Sequence, residues 1–507
     1  MKMGNWSGHQ KKWNKNFIAK CPMNRPSRKD ISQIYQQGEE AVIALVDSLY
    51  DAIALLEARI AVLEGQQKKN SKNSSKPPSS DGLRRTVSLR EPTGKKPGGQ
   101  TEHEGRTLER VAEPDAVIVH AAPEVCSHCQ TRLADVAAVI AESRQVMDVP
   151  KVQIFTTEHQ VERKHCPCCH HAETASFPTG VNAPIQYGVR LSSLAVYLNI
   201  HHLLPRERTV EVLEELCGVS LSNGTLENML ARAFAATEAT EEAIIERLST
   251  SDALHADETG ARINGKTQWI HVAATDTLTH YHPSTHRGRD AHAETGILDA
   301  FAKNGGVLHT DFYASYQGYA CGHAYCNAHL LRNLRFLGEV RGHLWATEMR
   351  TLLQGTLHHL KELRRQRENP AAVLSPEAFR ELEHRYDQLV EAALCVHRRT
   401  MLRADGTTKG RIKQTEERLL LERLHDYKAD ILRFATDPCA AFDNNLAERD
   451  LRMIKVQQKI SGSFRSMDGA KVFCRLRGFC STVRKNAANI LDALVDAFHG
   501  NNFALSI

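Results

Sequence analysis

The sequence predicts a multidomain α+β protein: a coiled coil, a zinc-ribbon-like module, a helical segment, and an α/β catalytic domain with a helical insertion. Three observations predict it. The apolar period changes from heptad spacing over 42–63 to helical spacing over 187–235, then to strand alternation after Asp252. A polar stretch, 69–81, separates the heptads from the rest of the chain. Two Cys-x-x-Cys pairs stand between that stretch and the helical region.

At 507 residues the chain exceeds a single core. Its net charge of +5 does not announce a polyanion partner, so any nucleic-acid contact must come from local basic segments. No apolar run is long enough to span a bilayer and no signal sequence opens the chain, which leads us to expect a cytoplasmic protein without a membrane partner. Thirteen cysteines without a secretion signal do not read as a disulfide framework. Four of them read as metal ligands and the rest as buried small hydrophobes.

Residues 1–38 read as a disordered arm. Over 39–66, Val42, Val46, Leu49, Ile53, Leu56, Ile60 and Leu63 form a heptad seam that ends at Gly65. The seam predicts a coiled coil pairing two or more copies of the chain, with a single packed amphipathic helix as the plainer reading. The linker, 67–110, is too polar to fold. It carries nine Lys/Arg between Lys68 and Lys96 against Asp81 and Glu91, enough to act as a tether or as a basic arm along DNA phosphates.

Cys126-Ser-His-Cys129 and Cys166-Pro-Cys-Cys169 give two knuckles in a module over 111–180. Each presents two thiolates, so Cys126, Cys129, Cys166 and Cys169 are the expected ligands of one structural Zn²⁺. The stretches 145–150 and 152–161 read as the strands joining them. Over 181–245, a helix closed by Gly218 and another capped by Ser222 have helix-turn-helix spacing, which any αα-hairpin shares.

From Asp252 the runs 254–259, 267–275 and 279–283 predict an antiparallel meander, then a helix over 289–303 and a strand over 307–311. That is the opening order of a ribonuclease H-like fold, here spanning 246–344. Its first and fourth strands would lie side by side, bringing Asp257 and Asp311 to neighbouring strand ends. Alternation puts His255, Asp257 and Thr259 on one face and Glu258 on the other, which favours Asp257 over Glu258. Helices over 345–365, 376–394 and 411–436 form an insertion (345–440), or a separate bundle. Cys326 and His329, one turn apart, could bind metal, but without further ligands they read as a packing pair near the site.

The last unit, 441–507, opens on a helix that Asp443 would cap and that carries Glu448. Two strand aspartates and a helix glutamate can hold two divalent ions against a phosphodiester. Arg452 and Lys455 share the face of Glu448 and, with neighbouring Arg449, are candidate DNA contacts, although the same spacing describes a surface ion pair. Lys459, Arg465, Lys471, Arg475, Arg477, Arg484 and Lys485 read either as a DNA-facing flank or as a solvated helix face.

The coiled coil, Asn73-Ser-Ser-Lys-Pro-Pro-Ser-Ser-Asp81, the paired knuckles, His255-Ala-Asp-Glu-Thr259, His309-Thr-Asp311, Cys326-Asn-Ala-His329 and Asp443-Asn-Asn-Leu-Ala-Glu448-Arg449 occur in one order. In this the sequence resembles the DDE transposases of the insertion sequence 66 family, from about Glu39 onward. The resemblance implies that Asp257, Asp311 and Glu448 hold Mg²⁺ (or Mn²⁺). It also implies that double-stranded DNA, as element ends and target, is the partner. The expected protein is then a nucleoid-associated homodimer or higher homo-oligomer, with or without helper proteins, that cuts and joins DNA. Two other readings share its DNA-contact features: a zinc-dependent DNA-binding protein with an inert catalytic domain, and a ribonuclease H-like nuclease that cuts without joining.

Overall fold

Glu39 and Glu40 open the long amino-terminal helix, where their charges complement the helix dipole. The structure, a computed structural model, describes residues 28–69, 108–149, 151–397 and 414–505. Most of the basic linker lies outside them. Helix α1 (Arg28–Gln36) falls within the arm expected to be disordered, whose first 27 residues also lie outside. Helix α2 (Glu39–Lys68) continues through Gly65, past the expected end of the seam.

Two short antiparallel strands, β1 (Arg163–His165) and β2 (Ala172–Thr174), flank the second knuckle. The segments 145–149 and 151–161 are not strands, contrary to the sequence reading. Their β-prone composition misled: Val146, Val149 and Phe155 are 80–92% exposed and have no sheet to pack against.

Helices α3 (Val189–Val196), α4 (Arg206–Cys217), α5 (Asn223–Ala236) and α6 (Glu238–Ser249) come next, with a π-helical turn at Tyr197–His201. Gly218, left-handed at φ 68°, closes α4, and the Ser222 side chain accepts from the Thr225 N–H to cap α5, both as expected.

The main sheet holds β3 (Ala253–Ile263), β4 (Lys266–Ala274), β5 (Thr279–Ser284), β6 (Val307–Thr310) and β7 (Gly322–Tyr325), in the order β5-β4-β3-β6-β7. Asn264 and Gly265, at φ 50° and 69°, make the tight turn between β3 and β4. β3, β4 and β5 are antiparallel, whereas β6 runs parallel to β3 and β7 to β6. The helix expected over 289–303 is two, α7 (Arg289–Thr295) and α8 (Ile297–Asn304), because Gly296 takes a left-handed φ of 67° that ends the first.

After β7 come α9 (Asn327–Glu339) and an insertion of α10 (Leu344–Gln366), α11 (Pro376–Val396), α12 (Glu416–Asp426) and α13 (Lys428–Leu432). The third expected insertion helix, 411–436, thus starts at Glu416 and breaks at Tyr427; residues 411–413 lie outside the described ones. Helices α14 (Asn445–Ser461), α15 (Met467–Lys485) and α16 (Ile490–Phe498) follow. Among the described residues no helix is long and apolar enough to cross a membrane.

The sheet has a core on each face. Ala261, Ile263, Ile270, Val272 and Tyr281 pack with α3, α5, α14, α15 and α16. Leu254, Ala256 and Leu308 pack with Ile244 and Leu248 of α6 and Phe301 of α8. A third core joins Leu330 and Leu334 of α9 to the insertion, which therefore rests on the sheet unit through α9.

Gly306 precedes β6 where no side chain fits: an added Cβ would lie 2.6 Å from Phe301 and 2.8 Å from the Ser251 carbonyl. Gly306→Ala is expected to destabilise the sheet unit by about 1–3 kcal/mol, read as a lowered urea midpoint with unchanged helix content.

Candidate active site

The register of the sheet sets the site. His255 lies beside His309 in the parallel β3–β6 pair, so Asp257 and Asp311, each two residues further on, follow that pair at the same level. Asp311 stands just past the end of β6, but Asp257, expected at a strand end, lies inside β3, which runs on to Ile263 because it stays paired with β4. The His255 and His309 rings stack at 4.1 Å beneath them. Burial lowers the pKa of both, that of His309 to about 3, so the floor of the site is neutral imidazole.

Asn444 joins this floor to α14. Its side-chain oxygen meets His255 Nδ1 at 2.8 Å, its NH₂ donates to the Ala256 carbonyl at 2.9 Å, and its backbone N–H donates to Cys326 Sγ at 3.3 Å. The cap position of α14 is therefore Asn444, not Asp443. Asp443 accepts instead from the Asn445 N–H at 3.1 Å, and the Asn444 side chain is spent on β3. One turn later stands Glu448, close enough to act on the charge of Asp257.

Electrostatics connect Asp257 to the other two carboxylates, while the like charge acting on Asp311 is Glu258 and that on Glu448 is Asp443. Burial is the main cause raising the pKa of Asp257 well above its ordinary value, and the charges of Glu258, Asp311 and Glu448 add to it. Asp311 is raised chiefly by burial, opposed by a hydrogen bond from the Tyr313 N–H and by Arg287 and Arg423. Glu448 is raised chiefly by burial, with Arg332 and Arg452 opposing. Hard oxygen donors that resist sharing negative charge suit a divalent cation, so the donor set fits Mg²⁺ or Mn²⁺.

Glu258 has another role. Its side chain is 2% exposed, ion-pairs with Arg287 at 2.8 Å and accepts from the Tyr316 hydroxyl at 2.6 Å. Arg287 in turn lies over the rings of Trp269 and Tyr313. The strand alternation read from the sequence separates these two adjacent acids as expected.

Of the expected DNA contacts, Arg449 and Arg452 are exposed on α14, and Arg452 acts on the charge of Glu448. Lys455 reaches back to the Gly260 carbonyl of β3. Part of the basic flank is structural, against the DNA-facing reading. Arg475 pairs with Glu241 and Glu238, Arg477 is 5% exposed and donates to the carbonyls of Ile200 and His201, and Lys485 binds Asp450 and the carbonyls of Thr275 and Leu278. Lys459, Arg465, Lys471 and Arg484 remain exposed.

Sequence reasoning did not single out Arg287, Arg332, Arg423 or Asn444. Arg332 lies three residues after His329, a same-face spacing that was available as a signal. Arg423 comes from α12, so the insertion is not a bundle unrelated to the site.

Each knuckle forms. In both, the first cysteine exchanges backbone hydrogen bonds across the turn: Cys126 with Thr131 and Gln130, Cys166 with His171 and His170. Gln130 and His170 adopt matching positive φ of 57° and 59°. Hydrogen bonds, from the Thr131 side chain to Cys129 and from the Cys169 and Cys168 backbone to Cys166, lower the thiol pKa values and ready them as thiolate ligands. Within each knuckle the second cysteine also hydrogen-bonds the first.

Comparison with known families fits this architecture. Residues 184–472, more than half of the chain, match the model described as Transposase IS66 family. The chain belongs to the IS66 transposase family. Residues 123–170 of this transposase match the zinc-finger binding domain of transposase IS66, which assigns the knuckles to a zinc-binding, DNA-binding chain, and 23–109 match a family of unknown function, DUF6444. No curated protein matches the chain.

This geometry sets two expected outcomes. Asn444→Ala leaves the Ala256 carbonyl and His255 without their partner, at a cost of about 1–3 kcal/mol, read as a lowered thermal midpoint. Cys166→Ser abolishes zinc retention by the knuckles and makes 111–180 sensitive to protease while the sheet unit stays resistant, both measurable on one purified sample.

Proposed function

We propose that this chain is a DDE-type transposase that binds the ends of its own element and performs metal-dependent strand cleavage and strand transfer at Asp257, Asp311 and Glu448. The observation that carries the reading is the shared level of Asp257 and Asp311 on parallel neighbouring strands, with Glu448 acting on the same charge cluster from α14. The sheet order, three antiparallel strands followed by two parallel ones, supports a ribonuclease H-like catalytic unit.

In this reading the three carboxylates hold Mg²⁺ (or Mn²⁺), which when bound activates the attacking oxygen and steadies the leaving one. Asp257, on the central strand, serves the whole site; Asp311 and Glu448 close it from either side. Water attacks the phosphorus at the element's end, the 3′-oxygen leaves, and the freed 3′-hydroxyl then attacks a phosphodiester of the target. Arg332, Arg423, Arg449 and Arg452 are placed to receive phosphates of the scissile strand, which their charge attracts without reading sequence.

Joining two ends needs two protomers. Val46, Leu49, Ile53, Ile60 and Leu63 of α2 are 42–54% exposed, which supports a homodimer or higher homo-oligomer through a coiled coil. Zinc held jointly by Cys126, Cys129, Cys166 and Cys169 would stabilise a small module otherwise poor in core. Double-stranded DNA, as element ends and target, is the partner, and the transposase works at the nucleoid with or without helper proteins.

The test is strand nicking on DNA carrying the element's own ends. Nicking requires Mg²⁺, stops with EDTA, and falls on the order of 10²–10³-fold or more in Asp257→Asn, since a lost metal ligand removes several kcal/mol of transition-state stabilisation. Glu258→Gln, which keeps the shape of the Arg287 and Tyr316 contacts, retains nicking within about tenfold. Binding without nicking would instead identify a DNA-binding protein with an inert catalytic unit. Nicking without joined products would identify a nuclease.

A further inference from the structure

Glu448 has neighbours that two-magnesium chemistry does not use. Cys326, fully buried at the start of α9, places Sγ 3.9 Å from Glu448 Oε1, and His329, one turn on, places Nδ1 3.7 Å from the same oxygen. The three ligand atoms lie within 4.8 Å of one another, the one such gathering among the described residues. His329 Nδ1 is buried with no hydrogen-bond partner among the described residues. An ion bound tetrahedrally at about 2.0–2.3 Å from each donor would hold the donors roughly 3.3–3.6 Å apart. The two pairs that share Oε1 therefore need to close by only a few tenths of an ångström, and Sγ and Nδ1, within 4.8 Å of each other, would draw together around the ion. His329 and Glu448 are 24% and 26% exposed, which leaves one side open for a fourth ligand from solvent.

We propose that Cys326, His329 and Glu448 form a binding site for a borderline-soft divalent ion such as zinc, separate in kind from the oxygen-ligated magnesium site. A thiolate and an imidazole select such an ion, while magnesium demands oxygen donors and near-octahedral geometry. Burial and the Glu448 charge push the pKa of the Cys326 thiol up to about 12, so a bound ion would itself have to displace the proton. The backbone N–H of Asn444, aimed at Sγ, works in the same direction as the ion. Through Oε1 the ion would fasten Glu448 to α9 and leave its second oxygen for the aspartates. The site shares Glu448 with the reading above but does not depend on catalysis.

The experiment counts metal on the full-length protein after incubation with zinc and gel filtration. Wild type is expected to retain one more zinc per chain than either Cys326→Ser or His329→Gln, because the knuckles keep their zinc in all three. With cobalt in place of zinc, wild type is expected to show stronger sulfur-to-cobalt charge-transfer absorption than Cys326→Ser. His329 is partly exposed, so His329→Gln retains the wild-type thermal midpoint and its result stands even if Cys326→Ser fails to fold. Equal zinc content in wild type and His329→Gln would overturn the site, as would displacement of the additional ion by millimolar magnesium. Asp257→Asn keeps the additional ion, so a failure of the nicking reaction and a failure of this site are seen separately.

Discussion

The Asn444 side chain is the joint on which the site turns. A buried amide must satisfy its donors and acceptor, and here each partner belongs to the central strand: the Ala256 carbonyl and the His255 ring. That requirement fixes the first turn of α14 against β3, and with it the distance from Glu448 to the aspartates. It also brings the Asn444 N–H onto Cys326, so β3, α9 and α14 meet at one residue. A cap residue that merely closed its own helix, as Asp443 was expected to do, would fix none of these relations.

Around that joint, charge is arranged in opposition. Three carboxylates are largely removed from water, and Asp257 feels the charges of the other two, above two imidazoles that burial keeps neutral. The floor thus offers them no positive charge. Compensation comes from the rim, where Arg287 and Arg423 act on Asp311 and Arg332 and Arg452 on Glu448. Under the proposed function, such a centre would take cations and such a rim would attract phosphate.

How much of this was legible in the sequence depended on how far each residue's role reached. Alternation along 254–259 correctly separated Asp257 from Glu258, because strand geometry is local. Gly218 and Ser222 announced their helix ends for the same reason. Roles set by distant partners were not readable. Arg475, Arg477 and Lys485 look like a basic face until α15 is packed against α6, the turn at Tyr197–His201 and the β4–β5 turn, where their charges are consumed. Arg423 gave no signal because only the folding of the insertion onto α9 carries it to Asp311. The segment between the knuckles failed differently: its residues favour strands, but a strand needs a neighbour, and composition does not say whether one exists.

The apolar face of the sheet that lies under the site is covered largely by α14, α15 and α16, which follow the sheet in the chain. Leu446, Leu451 and Ile454 of α14, Phe473, Leu476 and Phe479 of α15 and Leu494 of α16 fill the same core as Ile263, Ile270 and Val272. Along the chain Asp257 and Asp311 precede these helices, and Glu448 arrives only with α14, one of the helices that join α3 and α5 in that core. Glu448 therefore cannot take its place beside Asp257 without also placing Leu446, Leu451 and Ile454 in that core.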